Sequence, residues 1–283
     1  MSGFIRKIRI AAMAIVLAGA GSSAGAYVLP VPHIVELMTQ KLGAAGSLLV
    51  SQKLTLYDQA VNQAGVEFNE TLRYFFPSGF RSDISSKTTR RIHLVSSGTA
   101  LTILDGKVDA EVEGRYDLYK DIFYYRSRKQ LVERLAFLGI DTFKSSLGRF
   151  EGKTVFIVGA QYPDETVSQI WIDKESFMPL RWINVVGSAG GREDALDVRY
   201  DKWQQVDKIW YPGHIAFYQH RRLIRKIDVE RVQTNVSFSG DLFNIVRLKS
   251  SVSRVDRLPQ QGAGKAKENE VQKAIEEFRK IYQ

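Results

Sequence analysis

The residues that could do chemistry in this chain are few and badly spaced for it. There are four histidines, His33, His93, His214 and His220, and no cysteine. His214 and His220 fall on one strand and share a face, but six residues at ~3.3 Å each set them ~20 Å apart, too far to share a metal ion. Without cysteine there is no disulfide, thiolate metal site or thiol nucleophile. The sequence holds no G-x-S-x-G, no H-E-x-x-H and no phosphate-binding glycine loop. Gly187 to Gly191 reads as a hairpin loop, and Glu193, Asp194 and Asp197 as a solvated rim beyond it. The expectation is a protein with no catalytic residue, no metal and no cofactor.

Aromatic and basic residues carry more. Trp171, Trp182, Trp203 and Trp210 all fall on C-terminal strands or their ends, within a chain of 12 Tyr and 15 Phe. A bent sheet must fill its inner face, either with its own helices or with a guest. The run 220–226 (HRRLIRK) is the densest basic stretch. As a strand it turns Arg222 and Lys226 one way and Arg221 and Arg225 the other. Such charge either protects an edge strand from pairing or meets lipid head groups.

These residues must be positioned by the elements around them. Arg6, Lys7 and Arg9 precede an apolar run from Ile10 to Ala20 and the small residues Ala24-Gly25-Ala26. That is the pattern of a cleaved export signal over 1–26, since the apolar run is about half the ~20 residues of a spanning helix. Removing it leaves 37 basic against 31 acidic residues, a balance suited to an anionic membrane surface. An exported protein meets little nucleic acid, so none is expected as a partner.

One domain is expected over 27–250. Residues 31–42 place Ile34, Leu37, Met38 and Leu42 on one helical face, ended by Gly43 and Gly46. Alternation then sets Leu48, Val50, Leu54 and Leu56 on one face of a strand. In the next, Phe68, Leu72 and Tyr74 oppose Glu67, Asn69, Thr71 and Arg73. Residues 116–138 switch to helical spacing through Tyr116, Tyr119, Phe123, Leu131, Leu135 and Leu138, and 141–147 suggest a further helical turn. Strands resume to about 248. The reading is mainly β (α+β): about ten strands in a curved antiparallel sheet or half-open barrel, with helices over the concave face. A linker at 251–265 and an amphipathic helix at 266–283 (Val271, Ala274, Ile275, Phe278, Ile281) follow.

The run 167–183 then resembles a known hairpin. Trp171-Ile172-Asp173, the turn Lys174-Glu175, and Pro179 with Arg181 look like the strand–turn–strand of the LolA/LolB-like superfamily of periplasmic lipoprotein-sorting proteins. Gly152-Lys153 with Val155 to Gly159, and Trp203 with Trp210-Tyr211-Pro212, are similar too. The resemblance covers most of 31–245, and its shared residues shape turns rather than bind anything. It implies a half-barrel under a helical lid with an apolar cavity, in the periplasm. The function it implies is carriage of lipoprotein or lipid acyl chains toward the outer membrane. Combined with alternation, the expected lining is Leu54, Phe68, Leu72, Tyr74, Trp171 and Trp182 from the sheet, with Phe123, Leu131 and Leu135 from the lid. Arg73 is the expected lid contact, and Arg221, Arg222, Arg225 and Lys226 the expected head-group contacts. Two other readings stay open: an envelope sensor or scaffold that binds a protein through the C-terminal helix, and a lipid or glycan hydrolase.

Overall fold

The computed structural model describes residues 28–57, 65–87, 89–185 and 195–255. The export signal, the Gly187–Gly191 loop with Glu193 and Asp194, and the C-terminal helix lie outside the described residues, as does the linker beyond residue 255.

Helix α1 (Val31–Leu42) buries Val31, Ile34, Val35, Met38 and Leu42. It ends at Gly43, whose φ of 80° suits glycine. A Cβ there would lie 1.9 Å from the Lys208 carbonyl oxygen, so the helix end abuts the sheet where only glycine fits. The strands β1 (Ser47–Leu56), β2 (Val66–Phe75), β3 (Gly79–Ser85), β4 (Arg90–Ser96), β5 (Thr99–Leu104) and β6 (Lys107–Ala110) run as a meander. A 3-10 turn (Leu118–Lys120), α2 (Asp121–Tyr124) and α3 (Arg128–Phe137) interrupt them. Then come β7 (Ser145–Phe150), β8 (Lys153–Val158), β9 (Gln169–Asp173), β10 (Pro179–Asn184), β11 (Leu196–Val206), β12 (Ile209–Gln219) and β13 (Arg222–Thr234). A second 3-10 turn (Gly240–Phe243) and α4 (Ile245–Val255) follow.

All thirteen strands form one antiparallel sheet in the order β6-β5-β4-β3-β2-β1-β13-β12-β11-β10-β9-β8-β7. The two meanders are joined where β1 pairs with β13, Leu54 opposite Ile227. This corrects the half-open barrel of about ten strands: β6 and β7 are separate edges, so the sheet is not closed, nor is it strongly curled. Two short strands escaped the pattern. In β6 only Val108 and Ala110 alternate with charge. β7 (SSLGRF) has little strand propensity and stood among residues read as a helical turn. α4 also runs through the expected boundary at 250 and takes up the first residues of the expected linker.

Alternation gives the sheet one face buried along its length and, on the other, two local buried clusters. On one, Leu48, Val50, Leu54, Phe68, Leu72, Tyr74, Phe80, Trp182, Tyr200, Tyr211 and Phe217 pack with α1, α2 and α3 in the main core. On the other, α4 sets Val252 on Ile92, Leu101 and Ile103, while Val155, Ile157, Trp171, Leu180 and Ile183 form a second cluster.

Candidate functional site

The site is the covered face together with the cover, residues 113–138. The cover meets the sheet through rings. Phe123 lies 5.0 Å from Tyr211, 5.6 Å from Tyr200 and 6.1 Å from Trp203 between centroids, and Tyr119 meets Phe217 edge-on at 5.4 Å. Leu131 and Leu135 are buried on the inner side of α3. Leu54, Phe68, Leu72, Tyr74 and Trp182 belong to the same cluster, so the structure brings eight of the nine expected lining residues together. Tyr74 adds a hydroxyl contact with Tyr211 at 3.1 Å.

Trp171 is the ninth, and it lies on the opposite face. It is paired with Arg181, whereas Trp182 is paired with Ile170, so the two indoles point apart. Arg181 stacks 4.7 Å over the Trp171 ring and binds Glu165 and Asp197 beside it. Arg73 also faces away from the cover. Its guanidinium donates to Asp83 at 2.5 Å, next to Arg81. The basic run is divided rather than pooled. Arg221 sits in the β12–β13 turn and is exposed, as is Arg222; Lys226 pairs with Asp228 at 3.0 Å. Arg225 is only 1% exposed and lies inside, stacked on Phe217 and Tyr119, which removes it from any head-group surface.

Arg225 and Arg91 instead hold the cover. Arg91 Nη2 donates to Asp117 Oδ2 at 2.6 Å, and Arg225 Nη1 donates to the Tyr116 carbonyl at 3.2 Å. Below them, Glu70 accepts from Gln52 at 2.7 Å and from Ser82 at 2.6 Å. The Tyr200 hydroxyl donates to the Tyr119 carbonyl at 3.1 Å. The cover carries a second, internal set of charges. Lys120 donates to Glu113 and, at 2.7 Å, to Asp121; Arg134 donates to Asp121 at 2.6 Å and to Glu113 at 2.5 Å. All four carboxylate oxygens of this square are occupied, so it offers no free general acid or base.

The charge states follow from these contacts. Burial alone would raise the Asp117 carboxyl, but Arg91, with His93 behind it, holds it at about 2. Burial likewise opposes charge on Glu113, and Lys120 and Arg134 outweigh it. Asp121 goes up, because full burial and the Glu113 charge outweigh its two cations. Among the described residues no group of His, Asp or Glu could hold a metal ion.

Sequence reading passed over the polar members of this face, though the signal was present. Gln52 has the parity of Val50 and Leu54, and Glu70 that of Phe68 and Leu72. A charged residue on a core-facing parity needs partners, and here Gln52, Ser82 and Arg225 supply them.

No family model matches the sequence, and no curated protein matches it. Solved structures do match in fold. A domain from Vibrio parahaemolyticus described as an outer membrane lipoprotein-sorting protein has a TM-score of 0.53 at 12% identity, over 77% of this chain and 97% of its own. A LolA superfamily protein from Nitrosomonas europaea gives 0.52 at 9%, over 77% and 98%. A DUF1329 family protein from Desulfovibrio piger gives 0.50 at 12%, over 77% and 99%. These likenesses are of fold.

Proposed function

We propose that this chain is a non-catalytic carrier of the periplasm that takes acyl chains of lipids or lipoproteins onto the covered face of its sheet, with residues 113–138 as the lid. The observation that carries the reading is how the cover's charges are shared out. Glu113, Lys120, Asp121 and Arg134 satisfy one another within the cover. Among the described residues, the ties from that unit to its surroundings include the Arg91–Asp117 ion pair, the Arg225–Tyr116 contact, His93 at 3.8 Å from Glu113, the Tyr200–Tyr119 hydrogen bond, and Arg126 donating to the Leu42 and Gly43 carbonyls. Lifting it would break those ties but leave the four-charge square whole, and would uncover Phe123, Tyr200, Tyr211, Phe217 and Leu135. An acyl chain returns ~0.8 kcal/mol for each CH₂ it buries there, enough over a long chain to replace the cover's own contacts. Such contacts have no direction, so they accept varied chains and release them when the lid recloses. Fold likeness to lipoprotein-sorting proteins supports the same reading.

The test uses the mature chain purified from its host, extracted for lipid by mass spectrometry, and then titrated with a fluorescent fatty acid. Acyl lipid should co-purify. Asp117→Asn, which weakens the tie to Arg91, should speed probe uptake several-fold. A folded protein that carries no lipid, and takes up no probe with or without the substitution, would refute the carrier.

A further inference from the structure

We propose that the end of α3 and its connection to β7 form a membrane-docking tip, in which Phe137 and Phe143 insert into the head-group layer of an anionic bilayer. Phe143 is 98% exposed and Phe137 79% exposed. Phe137 closes α3 and Phe143 lies in the connection that follows, while the stretch between them is tied down: Ile140 is buried, and its N–H donates to the Leu135 carbonyl at 3.0 Å. The turn is built to hold the second ring out. The Asp141 carboxylate accepts from the Phe143 N–H at 3.0 Å, and the Asp141 carbonyl from the Lys144 N–H at 3.2 Å. Two phenyl rings presented to water on an ordered turn mark a contact surface.

The chemistry of the contact follows from area and charge. Two aromatic side chains offer roughly 150–250 Å² each, well short of the ~1,200–2,000 Å² of a stable protein–protein interface. A lipid interface, in contrast, rewards single rings that enter it, and adds attraction for cations beside them. The stretch from Arg128 to Arg149 supplies those cations. Besides Arg134, whose charge is matched within the cover while its guanidinium stacks 5.4 Å over the Phe137 ring, it holds Arg128, Lys129, Lys144 and Arg149 against Glu133 and Asp141. An acidic head-group layer complements this excess. The tip ends the same helix whose inner side carries Leu131 and Leu135, so docking would set the cover against the lipid surface. The inference goes beyond the carrier reading and does not depend on cargo.

The experiment measures binding of the full mature chain to vesicles of phosphatidylethanolamine and phosphatidylglycerol by co-sedimentation, with phosphatidylcholine vesicles alongside. Binding should favour the anionic vesicles. Phe137→Ser and Phe143→Ser should each weaken it about tenfold, and the pair about a hundredfold. In a Phe143→Trp variant, brominated lipids should quench emission beyond the quenching seen with the four native tryptophans. Unchanged binding by the double serine variant, or no added quenching, would overturn the proposal. Loss of self-association in that variant without any vesicle binding would also overturn it, and assign the rings to a second copy of the chain. Uptake of a soluble fatty acid by the double variant separates failure of the tip from failure of the carrier.

Discussion

Asp117 is a carboxylate almost wholly out of water that keeps its charge only because Arg91 lies 2.6 Å away, with His93 and Arg225 adding to it. Its folded value of about 2 lies below the ordinary 3.8, so the folded chain holds this proton less tightly than the unfolded one. The resulting stability is fully present above pH ~4 and is lost as the pH falls toward ~2, an effect of about 2 kcal/mol. Glu113 acts in the same sense and Asp121 in the opposite one, so a substitution at Asp117 alone separates its contribution from theirs. Asp117→Asn should flatten the acid limb of stability by about that amount when urea unfolding is followed between about pH 2.5 and 6. A variant whose acid limb matches the parent would place the pH dependence elsewhere. How far such residues were legible depended on parity. Alternation alone put Arg73 opposite Phe68 and Leu72, which rules it out as a lid contact, and the structure pairs it with Asp83 on that far side. Sequence could not name Arg91 or Arg225 as the ties, because each meets its partner across a fold-dependent gap of many residues.

Among the elements, α1 was the easiest to read and is the easiest to break. Its apolar face and its stop at Gly43 follow from spacing and from one glycine. That glycine has two constraints at once: a φ of 80°, and a Cβ position overlapping the Lys208 carbonyl. Its own carbonyl accepts from Arg126 at 3.0 Å. Gly43→Ala should therefore cost about 3 kcal/mol, from backbone strain and overpacking together, seen as a lower midpoint of urea unfolding with the slope unchanged. A loss within a few tenths of a kcal/mol would mean the helix end can shift off β12. The cover was legible as helical because Phe123, Leu131 and Leu135 recur at the right spacing. β7 was not, because its form is imposed from outside. Gly148 packs directly under the Tyr162 ring and beside Ile157, where a Cβ would sit 2.6 and 2.7 Å from them, and the ladder to β8 supplies what strand propensity does not.

At the scale of the whole molecule, a one-dimensional pattern reports which residues face together but not whether the first and last strands meet. Closure depends on twist, tilt and strand number summed across the sheet, and no local spacing encodes that sum. The difference has a measurable consequence. In a closed barrel every strand has two neighbours, and its amides are protected from both sides. Here β6 pairs only with β5, and β7 only with β8, among the described residues. The centre of the sheet lies instead at β1, β2, β12 and β13, where β1 joins the two meanders and one face is packed under the helices. Hydrogen exchange should therefore rank the amides by strand order. Those of β1 and β13 should open only with global unfolding, those of β2 and β12 slightly sooner, and the outward amides of β6 and β7 first. Residues 116–137 should exchange ahead of the strands they cover, since their charges are largely satisfied within the cover itself. Slow exchange along both edges would require β6 and β7 to be paired after all. Equal protection of the cover and of β1 would bind the lid to the core as one cooperative unit, which no carrier that must open could tolerate.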